Sequence, residues 1–207
     1  MDFSLLPAAL WLTAQITVLS ALIGMAAGVL VVLARRSRVA PLHWLAITWT
    51  DVVRGVPPLV WLMLVFLGVG VFTPLGAAVI VFGLVASAYC AEIYRSGLEG
   101  VAKGQYEALD ALGIPTRTGR LRVVVPQAAV ISAPAVASYV IGMVKDTSLA
   151  SVIGVAELTF VANRAANRTG DGITPFVTVG VLYLLLSLVL ALVGRAAAAR
   201  AESGWAA

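Results

Sequence analysis

Uncharged, mostly apolar residues fall in long blocks along the chain, and the charges fall between them. Thirty-two uncharged residues separate Asp2 from Arg35, 37 separate Arg54 from Glu92, 22 separate Arg122 from Lys145, and 23 separate Asp171 from Arg195. A helix rising about 1.5 Å per residue needs roughly 20 apolar residues to cross a hydrocarbon core of about 30 Å. Pro7 suits a first helical turn and places the start of the first helix near itself. The block after Arg54 is long enough for two spans, with a tight turn at Pro74-Leu75-Gly76. The pattern predicts an all-α integral membrane protein: one transmembrane domain over 1–207 with five transmembrane helices. They cover about 10–34, 54–72, 75–94, 123–145 and 173–194, with a loop over about 95–122.

Thr147 to Ala156 is also uncharged but carries only four strongly apolar side chains. These supply at most about 2 kcal/mol toward insertion, less than the roughly 2.5–3.5 kcal/mol that one central charge costs. The segment is expected to lie at an interface or to dip in against other protein. Gly24 and Gly28 form a Gly-x-x-x-Gly pair suited to close helix packing.

Composition agrees with the pattern. Of the residues, 61% are hydrophobic and 12% charged, and the mean hydropathy is +1.00. A soluble domain carries about 25% charged residues, so this chain lacks the polar surface of a soluble enzyme, a disordered tail or a secreted disulfide scaffold. The net charge of +4 does not mark a nucleic-acid binder, because the basic residues sit between apolar blocks and form no stripe. Eleven of the fourteen Lys and Arg residues follow the first, third and fifth spans; Lys145, Arg164 and Arg168 are the others. The positive-inside rule then puts the N-terminus outside and the C-terminus in the cytoplasm. There is no Gly-Lys-Thr/Ser phosphate loop, no metal-ligand cluster and no Ser-His-Asp pattern; Cys90 and His43 are the only residues of their kinds.

The loop between the third and fourth spans is the most informative stretch. Gln105 to Leu112 holds helix formers, Gly113 stops it, and Pro115 follows. Tyr106, Leu109 and Leu112 share one face. A helix this short is marginal alone in water and needs something to dock against. Two readings stay open: a partner protein covers that face, or the helix packs back on its own bundle.

Glu107-Ala108-Leu109, Gly113, Val123 and Val125-Pro126 keep the spacing of the EAA motif, and here the chain resembles the permease subunits of bacterial ABC importers. Leu109 stands for the second Ala and Val125 for the Leu before proline. Lys103-Gly104-Gln105, Pro126-Gln127-Ala128, Arg54-Gly55-Val56-Pro57 and the run from Lys145 to Leu158 are similar to the polar amino acid uptake branch. The resemblance covers about residues 10–195. It implies the type I ABC importer permease architecture in a bacterial inner membrane. It implies a cytoplasmic ATPase dimer that binds ATP and Mg, a second permease copy or sister permease, and an extracytoplasmic substrate-binding protein. It implies an amino acid as substrate, membrane lipid around the spans, and no nucleic acid. The chain itself would be no enzyme and would hold no cofactor or metal. By the same resemblance Gln105, Glu107, Ala108, Leu109, Leu112 and Gly113 dock the ATPase, and Lys145, Asp146, Thr147, Ser148 and Glu157 line the substrate path. Other expectations are a permease for another solute, such as methionine or an osmolyte, and an ion-coupled secondary transporter. The latter calls for paired midplane charges and an internal repeat that this sequence lacks.

Overall fold

The computed structural model describes residues 3–203. Among them every regular element is helical. Helix α1 (Leu6–Arg35) starts with Pro7 in its first turn and ends at Arg36. Helix α4 (Pro74–Glu99) is capped by Thr73, whose Oγ1 accepts from Gly76 N at 3.1 Å. The Pro74-Leu75-Gly76 triplet therefore opens this helix, and the turn lies just before it, where Gly70 has φ +66.

Helices α1 and α4 run parallel and touch along their length. Ser20 Oγ donates to Val79 O at 3.1 Å near one end, and Arg35 Nη1 pairs with Glu92 Oε2 at 2.8 Å near the other. Between these, the glycine pair is a seam inside one chain. A β-carbon on Gly24 would sit 2.1 Å from Ala86 Cβ, and one on Gly28 would sit 2.7 Å from Cys90 Cβ. Only hydrogen at these positions lets the two backbones approach. Glu92 also bonds Arg95, which reaches Glu99, so a four-residue ion network closes this end of the pair.

The region after α1 departs from the sequence reading. Residues read as a basic loop form helix α2 (Ala40–Gly55), and the expected span over 54–72 is a short helix α3 (Pro58–Met63) continued by a wider π-helical turn, Leu64–Val69. The two pieces meet at 101°. The cause is Pro57-Pro58: each proline bars the residue before it from helical geometry, and Val56 and Pro57 have ψ 132 and 138. Trp61 Nε1 donates across the break to Val53 O at 3.3 Å, filling a carbonyl the helix end leaves open.

Among the described residues, four helices are each long and apolar enough to cross a membrane: Leu6–Arg35, Pro74–Glu99, the continuous run Thr116–Ile153, and Thr174–Ala196. The bent pair Ala40–Gly55 and Pro58–Val69 makes a fifth candidate. The third loop contains helix α5 (Lys103–Ala111) and a short helix α6 (Thr116–Gly119). A π-helical turn, Arg120–Val124, joins α6 to helix α7 (Val125–Asp146). Pro126 removes one amide and its ring crowds the carbonyl four residues back, and the wide turn relieves that crowding. Helix α7 packs antiparallel to α4: a β-carbon on Gly97 would lie 1.9 Å from Ser132 Oγ, while Met143 packs with Ala86.

The uncharged decapeptide is a tight 3-10 helix, Thr147–Ile153, ended by Gly154 at φ +87. It does dip in against protein. Ala150, Ile153 and Val155 enter the main core with Ile16, Val53, Leu62, Val81 and Phe82. A further helix, α8 (Leu158–Thr169), follows it and precedes the last span. Its buried residues, Leu158, Val161, Ala162 and Ala165, recur at helical spacing, and the first three pack with Ala9 and Val179. Helix α9 (Thr174–Ser203) completes the bundle.

Candidate functional site

Helix α5 is a short rod seated on the foot of α7. Tyr106 and Leu109 pack with Leu98, Val101, Val124 and Ala128. Tyr106 OH donates to Leu98 O at 3.3 Å. Gln127 Nε2 donates to Gln105 Oε1 at 3.2 Å. Gly119 leaves the space for Leu109, since a β-carbon there would meet Leu109 Cδ1 at 2.9 Å. The expected Tyr106–Leu109–Leu112 face is thus divided. Its first two members turn inward onto the same chain, and Leu112 stays 74% exposed. Glu107, Ala108, Asp110 and Ala111 are exposed as well. The rod is fixed along one face and open along the other.

Its end is a two-bond glycine stop. Gly113 N donates to Asp110 O at 3.1 Å and Ile114 N to Leu109 O at 3.0 Å, with Gly113 at φ +65. This is the Schellman arrangement, which calls for a left-handed residue after the last helical turn. A β-carbon on Gly113 would meet nothing within 4 Å. Within this chain, glycine is needed for its backbone conformation and not for clearance.

The five expected path residues fall into two groups. Lys145 and Asp146 are exposed at the end of α7, and neither has an ion-pair partner within 4.0 Å among the described residues. Ser148 is half-buried, and its carbonyl accepts from Ser151 Oγ at 2.7 Å. Thr147 and Glu157 are wholly buried. Thr147 Oγ1 donates to Val144 O at 2.7 Å. Glu157 caps α8, accepting from Thr159 N at 2.9 Å and Phe160 N at 2.8 Å, and Tyr183 OH donates to its Oε2. Next to it, Leu158 N donates to Thr13 Oγ1 at 3.4 Å. Glu157 therefore ties α8 to α9 beside the start of α1. Burial pushes its carboxyl above the usual glutamate range, opposed by the Tyr183 hydroxyl and the Thr159 and Phe160 amides.

The charge pattern puts Arg54 with the basic flank of the first span; the structure places it elsewhere. His43 Nδ1 meets Arg35 O at the basic end, and Arg54 lies eleven residues beyond His43, about 16 Å of helix at 1.5 Å per residue. On the way, Trp49 Nε1 donates to Ser87 Oγ at 3.1 Å. The Arg54 guanidinium stands 5.2 Å from the centre of the Tyr89 ring, and Tyr89 stacks on Tyr139 at 5.0 Å. No carboxylate lies within 4.0 Å of Arg54 among the described residues. An exposed cation on an aromatic stack at this depth is a candidate contact for an anion. The signal for it in the chain was the Pro57-Pro58 break, which forces a helix end right after Arg54.

Comparison with known proteins places this arrangement. A family model described as "Binding-protein-dependent transport system inner membrane component" matches residues 6–203. The arginine transport system permease protein ArtQ of Bacillus subtilis (strain 168) is 32% identical over 197 residues, covering 93% of this chain and 90% of the relative. The L-cystine transport system permease protein TcyB of the same organism is 36% identical over 194 residues, covering 91% and 83%. A crystal structure of an amino acid ABC transporter with histidines superposes with a TM-score of 0.90 at 30% identity, covering 95% of this chain and 94% of that one. An inward-facing structure of the MetNI methionine ABC transporter shares the fold, with a TM-score of 0.80 at 22% identity over 96% and 97% of the two chains. The chain belongs to the binding-protein-dependent transport system inner membrane component family and is a multi-pass transport permease of the inner membrane.

Proposed function

We propose that this chain forms half of the translocation pathway of an ATP-driven importer for amino acids. The observation that carries the reading is helix α5: a rod clamped by Tyr106 and Leu109 that leaves Glu107, Ala108, Ala111 and Leu112 open to a partner. A clamped rod transmits force, and a loose loop does not. A cytoplasmic ATPase dimer grips the open face, Gln105 and Leu109 hold the rod on its seat, and Gly113 lets the chain turn back toward α7. The basic end, with Arg35, Arg36, Arg38, Arg95 and Lys103, faces the cytoplasm, and the start of α1 faces outward. Nucleotide supplies only a bias between inward- and outward-open states, through its different affinity for each.

The relatives named for arginine and L-cystine transport, and the amino acid ABC transporter, support an amino acid as the substrate. Arg54 on its Tyr89–Tyr139 stack supplies the positive contact that a substrate carboxylate needs. Lys145 and Asp146, without an ion pair among the described residues, border the path at its outer end. Thr147 and Glu157 hold the scaffold behind them. A second permease, identical or a sister, closes the pathway. A substrate-binding protein delivers from outside onto the exposed Asn163, Arg164, Asn167 and Arg168 of α8.

The test is co-expression with a candidate ABC ATPase and substrate-binding protein, purification in mild detergent, and reconstitution into proteoliposomes. ATP-dependent accumulation of a labelled amino acid, with the ATPase retained at two copies per permease pair, is expected. Uptake that runs without ATP, or a permease that purifies alone, refutes the proposal.

A further inference from the structure

A cavity of about 610 Å³ opens at the basic end of the bundle, away from the open face of α5. Its lining includes three arginines, Arg36, Arg117 and Arg120, and no acidic residue. None of the three has an ion pair or a side-chain hydrogen bond among the described residues, and all three are exposed. The remaining wall is largely apolar. Leu33, Leu121 and Val125 are 61%, 57% and 45% exposed, and above them the same flank of α1 shows Val29 and Leu30 at 44% and 68%.

Unpaired guanidinium groups beside exposed apolar side chains, at the end of membrane spans, describe a two-part ligand. It has an anionic head and a greasy body running up the outside of α1. A soluble phosphate satisfies the arginines but leaves the leucines bare. A neutral lipid covers the leucines but leaves three charges unmatched. We infer that this cavity binds one anionic phospholipid, its phosphodiester held by Arg36, Arg117 and Arg120 and its acyl chains laid against Leu33, Leu121 and Val125. The inference rests on the inner-membrane assignment and on the basic end lying at the bilayer surface. The lipid has a mechanical role as well. Tyr106 and Leu98 also line the cavity, and their hydrogen bond clamps α5. An occupied site braces the seat of the rod, and an empty one leaves three like charges on two elements to push them apart.

The experiment uses the assembled transporter in nanodiscs of phosphatidylcholine alone or with phosphatidylglycerol. Lipid retained through stepwise delipidation is counted by native mass spectrometry. Amide exchange over residues 103–114 is followed in parallel. Phosphatidylglycerol is expected to be retained selectively and to slow exchange. The triple variant R36Q/R117Q/R120Q is expected to lose affinity by about fivefold per arginine, on the order of 100-fold in all. The triple Lys variant should keep most of the binding, which separates lost charge from a misfolded loop. Equal retention by the wild type and the Gln variant overturns the inference. So does equal slowing by inorganic phosphate, which would make the apolar wall irrelevant. Cross-links from these arginines to the ATPase that exclude lipid would also overturn it. Lipid counts do not depend on uptake, so a transporter that fails to import amino acids but retains phosphatidylglycerol refutes the proposed function and leaves this inference standing.

Discussion

Gly113 separates two explanations of why glycine ends the rod. Its φ of +65 is a conformation that an L-residue enters at a cost of about 1–2 kcal/mol. Among the described residues, nothing beyond Gly113 and its chain neighbours lies within 4 Å of the β-carbon position, so Gly113→Ala adds strain without a clash. That strain falls on the two bonds of the stop, Gly113 N to Asp110 O and Ile114 N to Leu109 O. A difference of about 1–2 kcal/mol changes an open-to-closed ratio roughly 5- to 30-fold. Exchange of the Gly113 and Ile114 amides should accelerate by that factor while the amides of α4 stay unchanged. Ala should then lower amino acid uptake per ATP hydrolysed in proteoliposomes, and the permease should remain in the membrane. Asn tolerates left-handed geometry better than Ala and should recover most of the loss despite its larger side chain. Val, with its branched β-carbon, should be the worst. If uptake instead falls with side-chain volume, so that Asn is worse than Ala, the backbone argument is refuted and Gly113 is there to clear the partner.

Gly24→Ala should destabilise the protein by about 1–3 kcal/mol, because its β-carbon would overlap Ala86; Gly24→Ala with Ala86→Gly should restore most of the loss in a thermal melt in detergent. Glu157→Ala strips the cap of α8 and should cost about 0.5–2 kcal/mol by the same melt. Because the folded carboxyl of Glu157 binds its proton more tightly than an unfolded one, stability should fall as pH rises through and above the usual glutamate range, and Glu157→Gln should flatten that slope. Tyr89→Leu removes the aromatic face under Arg54, worth about 0.5–2 kcal/mol, and should raise the KM for uptake roughly 2- to 30-fold, whereas Tyr89→Phe should stay near wild type.

How far the chain could be read from its residues varies by element. The apolar blocks are self-announcing, since lipid-crossing length and the absence of charge are local properties. So are Gly113 and Pro115 at the end of the rod. Helix α2 is hidden because charges normally mark the edges of spans. Arg54 breaks that rule: it stands over the Tyr89 ring, a contact belonging to the fold and not to the local sequence. Helix α8 is legible in principle, with apolar residues at 158, 161, 162 and 165 and Gly170 just past its end, but it is too short and polar to stand out among the apolar blocks. The sequence leaves open whether Tyr106 and Leu109 turn inward, and it does not reveal the capping role of Glu157. Each depends on partners distant in the chain: Val124 and Ala128 for the rod, Tyr183 for the cap.

The contact of α1 with α4 has a consequence for motion. Helices whose backbones touch at Gly24 and Gly28 cannot slide, because each step along the axis would drive Ala86 or Cys90 into main-chain atoms. The pair travels as a keel. Any change of shape during transport is displaced to the looser joints, the elbow at Val56-Pro57 and the wide turn before Pro126. Spin labels placed along α1 and α4 would keep fixed separations through the whole working cycle, while labels on α3 would swing against both.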